Sequence, residues 1–516
     1  MAVNKNLKTP GVYIDEKNAF PNSVVAVETA VPAFIGYTEK AEFGGQSLRN
    51  KPCRIESLME FVSFFGKGCT TKYNLSVASS FEEQDFELNG ISYSLDADAD
   101  THFLLYESLK FFYQNGGGSC FIVSVGTYTD TGKDKPFSST SPFTNGIDLL
   151  KKETEPTMIV VPDAVLFNSE VCYSLQQHML NHCGEQMDKV ALLDIHQGYK
   201  GLDDPNDNPI DKFRNNVSSD YLSYGAAYYP WLNTSIVQPS EVDYKNLNDE
   251  GIKTLTSICK TAIHNLNEDH RNALVEYLDL LSFSDENTKV EGKPKTPSIQ
   301  EIHDVLSVRI PEYNIVMENI LKKINLLPPS AAMAGIYTLV DLQRGVWKAP
   351  ANVAVSNVVS PSILIDHEQQ EDLNAPILGK AICAIRPFIG LGTMVWGART
   401  LDANSLDWRY MNVRRTVIML EQSIKIAAKA YVFEPNVKNT WVSIESMIGN
   451  FLTNLWKQGA LAGAVPADAF SVSVGLGSTM TANDILEGRM NITVKLAISH
   501  PAEFIVITFQ QQQQKS

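Results

Sequence analysis

Two aspartates stand where enzymes built on parallel β-sheets place catalytic groups. Asp163 and Asp194 each come just after a short apolar run that predicts a buried strand. Carboxylates at the carboxyl ends of such strands can act as general acids or general bases. Acidic residues also end strands as turn formers, and no nucleophile, base and orienting group accompany these two along the sequence. An α/β enzyme that uses these strand-end carboxylates is therefore the alternative hypothesis for this chain.

Four acidic residues imitate the spacing of a calcium-binding loop: Asp96, Asp98, Asp100 and Glu107. Such a loop needs converging carboxylate oxygens and a glycine at its sixth position, where the chain turns sharply. Thr101 occupies that position, and the residues after it have a helical pattern. We interpret the cluster as an acidic first turn, which the helix dipole favours, and predict no metal site here.

His178 and His182 lie four positions apart on a predicted helix, a spacing that can present two imidazoles to zinc. Met179 stands where the metalloprotease motif has glutamate, and the sequence indicates no third ligand. A polar helix surface is the simpler interpretation. We therefore predict neither a zinc centre nor a catalytic residue in this helix.

The glycines at 116–118 could suggest a phosphate-binding loop. Phosphate loops follow a strand and open a helix, whereas this segment follows a predicted helix and leads into a predicted strand. The order favours a helix end with a tight turn, and we predict no cofactor.

The elements that would position these groups alternate between helix and apolar strand from residue 102 onward. Helices are predicted over 103–113 and 172–182, and a further strand is predicted within 221–232. Buried strands are predicted over 120–125, 158–161 and 190–193. Continuous apolar strands separated by helices are typical of an α/β layer with parallel pairing.

Local signals mark the ends of several other elements. Ser57 and Glu60 form a capping box for a helix that Gly66 ends, and Ser298 begins a second capping box. Asn89-Gly90 predicts a hairpin, because both residues accept the positive φ angles of a type I′ turn. Residues 240–325 are charged and helical and are predicted to be an inserted subdomain.

The C-terminal part has an α+β pattern. Apolar residues recur at helical spacing over 409–431 and again over 443–458, which predicts two long helices. Residues 491–498 alternate between apolar and polar, as in a half-buried strand, and 504–509 are apolar on both faces, as in a fully buried one.

Composition excludes several classes of function. The chain has 516 residues, 44% of them hydrophobic, and a formal net charge of −16, which is soluble-protein composition and argues against nonspecific nucleic-acid binding. No apolar run is long enough to span a membrane. The seven cysteines lack CxxC spacing, which fits reduced thiols, and the N-terminus lacks a signal-peptide core. We expect a soluble cytosolic product.

Charge is unevenly distributed along the chain. Residues 380–516 contain thirteen Lys and Arg against nine Asp and Glu, so the preceding residues carry a net charge of −20. A mildly basic C-terminal part on an acidic remainder suggests that the two parts face different surroundings.

Both ends of the chain are extended and apolar, and such segments offer unpaired backbone groups. They could pair inside their own domain, or they could donate strands to neighbouring subunits. The residues expected to make these arm contacts are Val12, Tyr13, Ile14, Val24, Val25, Phe504, Ile505, Val506, Ile507 and Phe509.

Several long motifs, in order along the chain, resemble those of contractile phage-tail sheath proteins. The N-terminal motifs are Thr9–Tyr13 and Ala33–Gly36, and the middle ones are 115–117 and Tyr228–Trp231. The dense C-terminal set comprises Pro328–Tyr337, Arg344–Asn352, Val395–Leu401, Trp408–Arg415, Phe433–Asn436, Phe451–Gly463 and Pro501–Phe504. Segments 42–100 and 240–325 do not match closely.

The resemblance implies a structural protein without enzymatic activity. Such subunits assemble in rings of six that stack helically around an inner tube, with baseplate and terminal cap proteins at the ends. Contraction drives the tube through a target envelope without nucleotide hydrolysis. Assembly is expected in the cytoplasm, in a particle that is part of a virion, released by lysis or docked at a membrane, with no insertion of the sheath itself. The resemblance does not distinguish a phage tail, a tailocin and a phage-like injection system.

The resemblance also implies a tail-sheath fold of α/β and α+β domains with two arms. The predicted divisions are an N-terminal arm at 1–22, an outer α/β domain at 23–350 with insertions near 42–100 and 240–325, an inner tube-facing α+β domain at 351–499, and a C-terminal arm at 500–516. The candidate tube-facing cations are Lys457, Arg409, Arg414, Arg415, Lys425 and Lys429.

Overall fold

The computed structural model describes residues 23–80, 83–131, 135–204, 207–281, 297–376 and 379–505. Within these ranges the strands are β1 Pro32–Thr38, β2 Glu42–Phe43, β3 Gln46–Ser47, β4 Cys53–Ile55, β5 Tyr73–Val77, β6 Phe86–Leu88, β7 Ile91–Ala97, β8 Cys120–Thr127, β9 Met158–Val160, β10 Val190–Asp194, β11 Gly225–Tyr229, β12 Leu232–Thr234, β13 Leu326–Leu327, β14 Val353–Ala354, β15 Val358–Pro361, β16 Cys383–Phe388, β17 Gly392–Val395, β18 Phe470–Val474 and β19 Ile492–Leu496.

The helices of the same ranges are α1 Leu58–Phe65, α2 Leu105–Gln114, α3 Ser141–Leu149, α4 Ser169–Gln186, α5 Pro209–Asn216, α6 Asp249–Ala262, α7 Glu268–Leu280, α8 Ile299–Arg309, α9 Pro311–Ile324, α10 Ser330–Arg344, α11 His367–Asn374, α12 Met411–Ala428, α13 Lys438–Lys457, α14 Pro466–Ala469 and α15 Ala482–Leu486. None of the described helices is long and apolar enough to cross a membrane.

The chain divides into two units. The larger contains Glu28–Ile418 together with the residues from His500 onward, and the smaller contains Met419–Ser499 together with the described residues up to Val27. The boundary falls inside α12, whereas the sequence predicted it at 350. Residues 351–418 belong to the larger unit because β14, β16 and β17 extend its main sheet.

A nine-stranded sheet, ordered β14-β17-β16-β11-β10-β9-β1-β8-β4, is the centre of the larger unit. The strands from β8 through β16 pair in parallel, and β4, β14 and β17 add antiparallel edges. Every residue of β9, β10 and β11 is buried, since α2 with α10 and α3 with α4 pack against the central strands. The predicted parallel α/β layer is therefore confirmed, although the apolar run at 221–232 forms two strands, β11 and β12, around Pro230.

Local signals located several element ends. The Ser57 side chain accepts the Glu60 N–H at the start of α1, and Gly66 ends that helix at φ 84°. Asn89 and Gly90 adopt positive φ between β6 and β7. Gly116, at φ 92°, follows α2 and precedes β8, so this glycine segment is the helix end that its order in the sequence predicted.

A second hydrophobic core combines two segments that the sequence treated as separate insertions. The sheet β5-β7-β6 packs with α6–α9 around Leu75, Tyr93, Leu255 and Tyr313, which are at most 6% exposed. We call this the peripheral subdomain. Its first segment, β5–β7, is shorter than the insertion predicted near 42–100, because β4 in that stretch pairs with β8 of the main sheet.

The smaller unit is α+β. Strands β18 and β19 pair antiparallel with Val472 opposite Val494, and α13 packs on β18 through its buried residues, which include Met447 and Phe451. The alternating pattern near 491–498 thus correctly predicted a half-buried strand.

Candidate functional site

Asp194 is a helix cap. It ends β10, and its carboxylate accepts the backbone N–H of Ser330 at 2.8 Å and the Ser330 hydroxyl, at the first residue of α10. Burial raises the pKa of this carboxyl to about 7, although the two Ser330 hydrogen bonds act to lower it. Both oxygens are occupied by these structural bonds, so the geometry favours capping over catalysis.

Asp163 is enclosed in the core at 0% exposure. One carboxylate oxygen accepts the Leu104 N–H at 2.7 Å, one residue before α2. Burial raises the pKa of Asp163 to about 6, although hydrogen bonds from backbone N–H groups, including that of Leu104, act to lower it. A carboxylate with no exposed surface has no route to a substrate, and its bond to Leu104 explains its position.

The structure brings Asp148 beside the two histidines of α4. Its Oδ1 lies 3.4 Å from Nε2 of His178 and 4.0 Å from Nδ1 of His182, and it also pairs with Lys151 at 3.1 Å. Burial, with the nearby charges of Lys189 and Lys151, lowers the pKa of His182 to about 4. The described residues contain no group of three His, Cys, Asp or Glu side chains arranged to hold a metal.

The calcium-like spacing near residue 100 does not form a loop around a common centre. Asp96 lies within β7 and pairs in register with Asn74 of β5. Asp100 forms an ion pair with Lys135 at 2.7 Å. The acidic side chains are therefore divided between a strand and the turn that follows it.

The two predicted arms continue beyond the described residues. Val12, Tyr13 and Ile14 lie outside them, as do Val506, Ile507 and Phe509. Val24 and Val25 belong to no strand, and Val25 is 76% exposed. Phe504 and Ile505 are 74% and 78% exposed in the isolated chain, so the apolar C-terminal segment begins on the outside of its own subunit.

Arg415 is a buried internal cation. Its guanidinium binds both carboxylate oxygens of Asp341 at 2.6 and 3.0 Å, donates to the Thr29 carbonyl at 2.9 Å and lies over the Tyr337 ring. The two side chains of the ion pair are 3% and 5% exposed. Arg415 therefore joins α12 to α10 and to the beginning of the larger unit, and offers no surface to a partner.

Arg414 is also occupied within the larger unit. Its guanidinium lies 3.6 Å from the Trp408 ring centre and 4.2 Å from that of Tyr224, and it donates to the Ser223 hydroxyl at 2.9 Å. Arg409 is partly buried and donates to the Ala403 carbonyl at 3.1 Å. These contacts restrict the candidates for tube contact.

The exposed candidates are all lysines of the smaller unit: Lys425, Lys429 and Lys457. Residues 419–499 contain six Lys and Arg and six Asp and Glu, so this unit has no net charge. The basic excess calculated for residues 380–516 therefore lies outside it, and only the positions of individual lysines can support a tube contact.

The smaller unit presents a two-stranded sheet with unpaired edges. Among the described residues β18 pairs only with β19 along its length, and β19 only with β18. Each strand thus has an edge whose backbone groups are available to a further strand.

Comparison with known proteins shows similarity to tail sheath proteins. Residues 403–512 match the phage tail sheath C-terminal domain family. The chain is 28% identical over 141 residues to a tail sheath protein of Burkholderia phage BcepMu, covering 26% of this chain and 29% of that one. It is 27% identical over 138 residues to a putative prophage major tail sheath protein of Pseudomonas aeruginosa, covering 26% and 34%. The matched region thus spans about a third of each curated relative.

Solved structures extend the likeness to nearly the whole chain. The contracted sheath complex of PVC, an extracellular contractile injection system, is 26% identical with a TM-score of 0.57, over 98% of both chains. The contracted helical sheath of the anti-feeding prophage is 26% identical with a TM-score of 0.58, over 98% of this chain and 100% of that one. Over nearly its whole length the chain is therefore similar in sequence and fold to these contracted sheaths.

Proposed function

We propose that this chain is the repeating subunit of a contractile sheath, assembled helically from six-subunit rings around an inner tube. The likeness over 98% of the chain to contractile sheaths, with both units included, carries the proposal. The roles found for Asp163 and Asp194 support it, because the enzyme hypothesis depended on these two carboxylates.

Subunits are linked by their arms in this proposal. The apolar C-terminal segment, which starts with exposed Phe504 and Ile505, pairs as a strand with a neighbour's β18–β19 sheet. The N-terminal segment, including Val12–Ile14 and Val24–Val25, makes the second link. Backbone hydrogen bonds supply the affinity in such strand addition, and alternate side chains supply the register.

The smaller unit faces the tube in this proposal, through Lys425, Lys429 and Lys457. Lys425 is in the last turn of α12, and Lys429 directly follows that helix. Lys457 ends α13 and is also exposed. An acidic surface on the tube protein is the complementary partner.

Contraction releases free energy stored during assembly and needs no nucleotide. Subunits assembled in a metastable extended lattice pass to a better-packed one once a baseplate signal lowers the kinetic barrier. The arms stay paired while the folded units repack, so the connected lattice transmits the force. A baseplate and a terminal cap are the further partners, and the particle assembles in the cytoplasm of the producing cell.

Electron microscopy of the purified chain, with and without its tube protein, tests the proposal. We expect helical tubes from the full chain, and a folded monomer without tubes from a variant that ends at Glu503. A variant that lacks only 510–516 keeps the apolar segment and serves as the control. Sheaths of ordinary length from the chain ending at Glu503 would refute the arm model. A discrete small oligomer that turns over a substrate would instead support the enzyme.

A further inference from the structure

Glu503, directly before the apolar C-terminal segment, is held by a dense set of hydrogen bonds. Arg399 donates to it through Nε at 3.0 Å and through Nη2 at 2.6 Å. Asn374 Nδ2 donates at 2.9 Å, and the Tyr410 hydroxyl donates at 2.8 Å. Three side chains thus converge on one carboxylate.

Arg399 is equally saturated. Its Nη1 donates to the Asn374 carbonyl at 2.8 Å, so all three nitrogens of the guanidinium have partners. Its side chain is 5% exposed and that of Glu503 is 21% exposed. Charge-assisted hydrogen bonds in a bidentate pair that is shielded from water are stronger than hydrogen bonds between neutral groups.

The partners of Glu503 come from separate parts of the larger unit. Asn374 ends α11, Arg399 follows β17, and Tyr410 directly precedes α12. Burial alone raises the pKa of Glu503, but the hydrogen bonds from Arg399, Asn374 and Tyr410 outweigh burial and hold its pKa below the usual value. The carboxylate is therefore charged and fixed at neutral pH.

The chain changes character immediately after this carboxylate. Phe504 and Ile505 are exposed, although both are large and apolar. Glu503 is thus held in the folded unit, whereas the apolar segment that follows it begins at the surface. An ordinary surface pair such as Glu487–Arg489, with side chains 54% and 66% exposed, makes no comparable attachment.

A similar arrangement stands near the other end of the chain. The Thr29 carbonyl accepts from Arg415 at 2.9 Å, and the Thr29 hydroxyl donates to Asp341 at 2.6 Å, beside the buried Arg415–Asp341 pair. Residues 23–26, before it, form no strand. A buried arginine–carboxylate pair thus holds the chain at the base of each arm.

We propose that Arg399 and Glu503 anchor the C-terminal arm, fixing where it leaves the folded unit and carrying the load that a neighbouring subunit places on it. The inference rests on the proposed sheath function. Arg399, Asn374 and Tyr410 act through Glu503 and are positioning residues, since they touch the base of the arm and not its strand.

The reason is mechanical. A strand bound by a neighbour transmits force to the point where it joins its own fold. Without a fixed base, part of the binding free energy is spent on ordering the connecting residues at every junction. Several charge-assisted bonds from separate elements hold that point in one place.

The test compares Glu503→Gln and Tyr410→Phe with the control Glu487→Gln. Hydrogen exchange at the N–H groups of Ala375, Thr400 and Met411, which adjoin the three partners of Glu503 and donate to backbone carbonyls, measures the anchor in the isolated monomer. Disassembly of preformed sheaths in urea or on dilution measures its load-bearing role. We expect Glu503→Gln to accelerate exchange at these three N–H groups and to speed disassembly about tenfold, the scale set by loss of one charge-assisted hydrogen bond. Tyr410→Phe should give a smaller change in the same direction, and Glu487→Gln none.

The outcomes separate the two proposals. Wild-type chains that form no helical tubes would overturn the sheath function, while exchange in the monomer would still decide whether the anchor exists. The anchor would be overturned if Tyr410→Phe and Glu503→Gln left both the disassembly rate and the exchange rates of Ala375, Thr400 and Met411 unchanged. If Glu503→Gln fails to fold by circular dichroism, Tyr410→Phe, which keeps the ring and the ion pair, decides alone.

Discussion

The carboxylate of Asp194 accepts both the backbone N–H and the hydroxyl of Ser330, a residue 136 positions further along the chain. This contact ties the end of a central strand to the first turn of α10. It gives a structural reason for an acidic residue at a position that resembles a catalytic one. Substitution of Asp194 tests the capping role against the catalytic one.

Asp194→Ala should destabilise the monomer. The substitution leaves the buried N–H and hydroxyl of Ser330 without their acceptor, which costs about 2 kcal/mol of unfolding free energy. Urea unfolding followed by circular dichroism measures the change. Glu185→Ala, on the exposed face of α4, is the control and should stay within about 0.5 kcal/mol of the parent. An unchanged unfolding free energy for Asp194→Ala would contradict the capping role.

Asp163 should make the monomer less stable as pH rises. Its folded-state pKa is raised from 3.8 to about 6, so between these values the folded chain holds a proton that the unfolded chain releases. The stabilising contribution is present below the unfolded pKa and is lost as pH rises through about 6. Urea unfolding at several pH values from 4 to 7 measures the slope, which Asp163→Asn should reduce between about pH 4 and 6. An identical slope in both chains would show that Asp163 does not titrate in this range.

Lys457→Glu should impair assembly on the tube. Lys457 is exposed at the end of α13, so reversing its charge should replace attraction to an acidic tube surface by repulsion without disturbing a core. Sedimentation and electron microscopy of sheath and tube mixtures give the yield of extended particles. Lys322→Glu, at an exposed position on α9 of the peripheral subdomain, is the matched charge reversal and should leave the yield unchanged. Normal extended particles from Lys457→Glu would remove this residue from the proposed tube contact.

Leu255→Ala should loosen both segments of the peripheral subdomain. Leu255 is 0% exposed in the core that β5–β7 share with α6–α9, and such truncations cost about 2–5 kcal/mol. Hydrogen exchange should accelerate in residues 73–97 as well as in 249–324, while β9 and β10 of the main sheet keep their protection. Val308→Ala, at an 80% exposed position on α8, provides the control. Faster exchange confined to 249–324 would contradict a shared core.

The sequence correctly predicted those local structures that depend only on residues close together along the chain. The caps at Ser57 and Ser298 and the turn at Asn89-Gly90 form as predicted, because each depends on atoms only a few residues apart. Periodicity likewise located the helices around α12 and α13. The predicted start of α13 was late by five residues, and the first three residues of the helix, Lys438–Thr440, are polar.

The resemblance to sheath proteins could be recognised from sequence because the shared motifs are long and follow one another in order. Residue type alone did not separate the candidate partner contacts from the cations that the fold buries. Arg414 and Lys457 are both cations of the C-terminal part, yet one lies buried between two aromatic rings and the other is exposed. Burial is a property of the whole packed unit, and no pattern around either residue indicates it.

The sequence by itself indicated several of the main helices and strands, the parallel arrangement of the central ones and the resemblance to sheath proteins. Only the tertiary structure decided what the individual charged groups do. Asp194 meets Ser330 across 136 positions, and Glu503 meets Arg399 across 104. Such contacts exist because folding removes charged groups from water and requires each to find a partner wherever the chain brings one near. The partner is set by the fold and not by spacing along the chain.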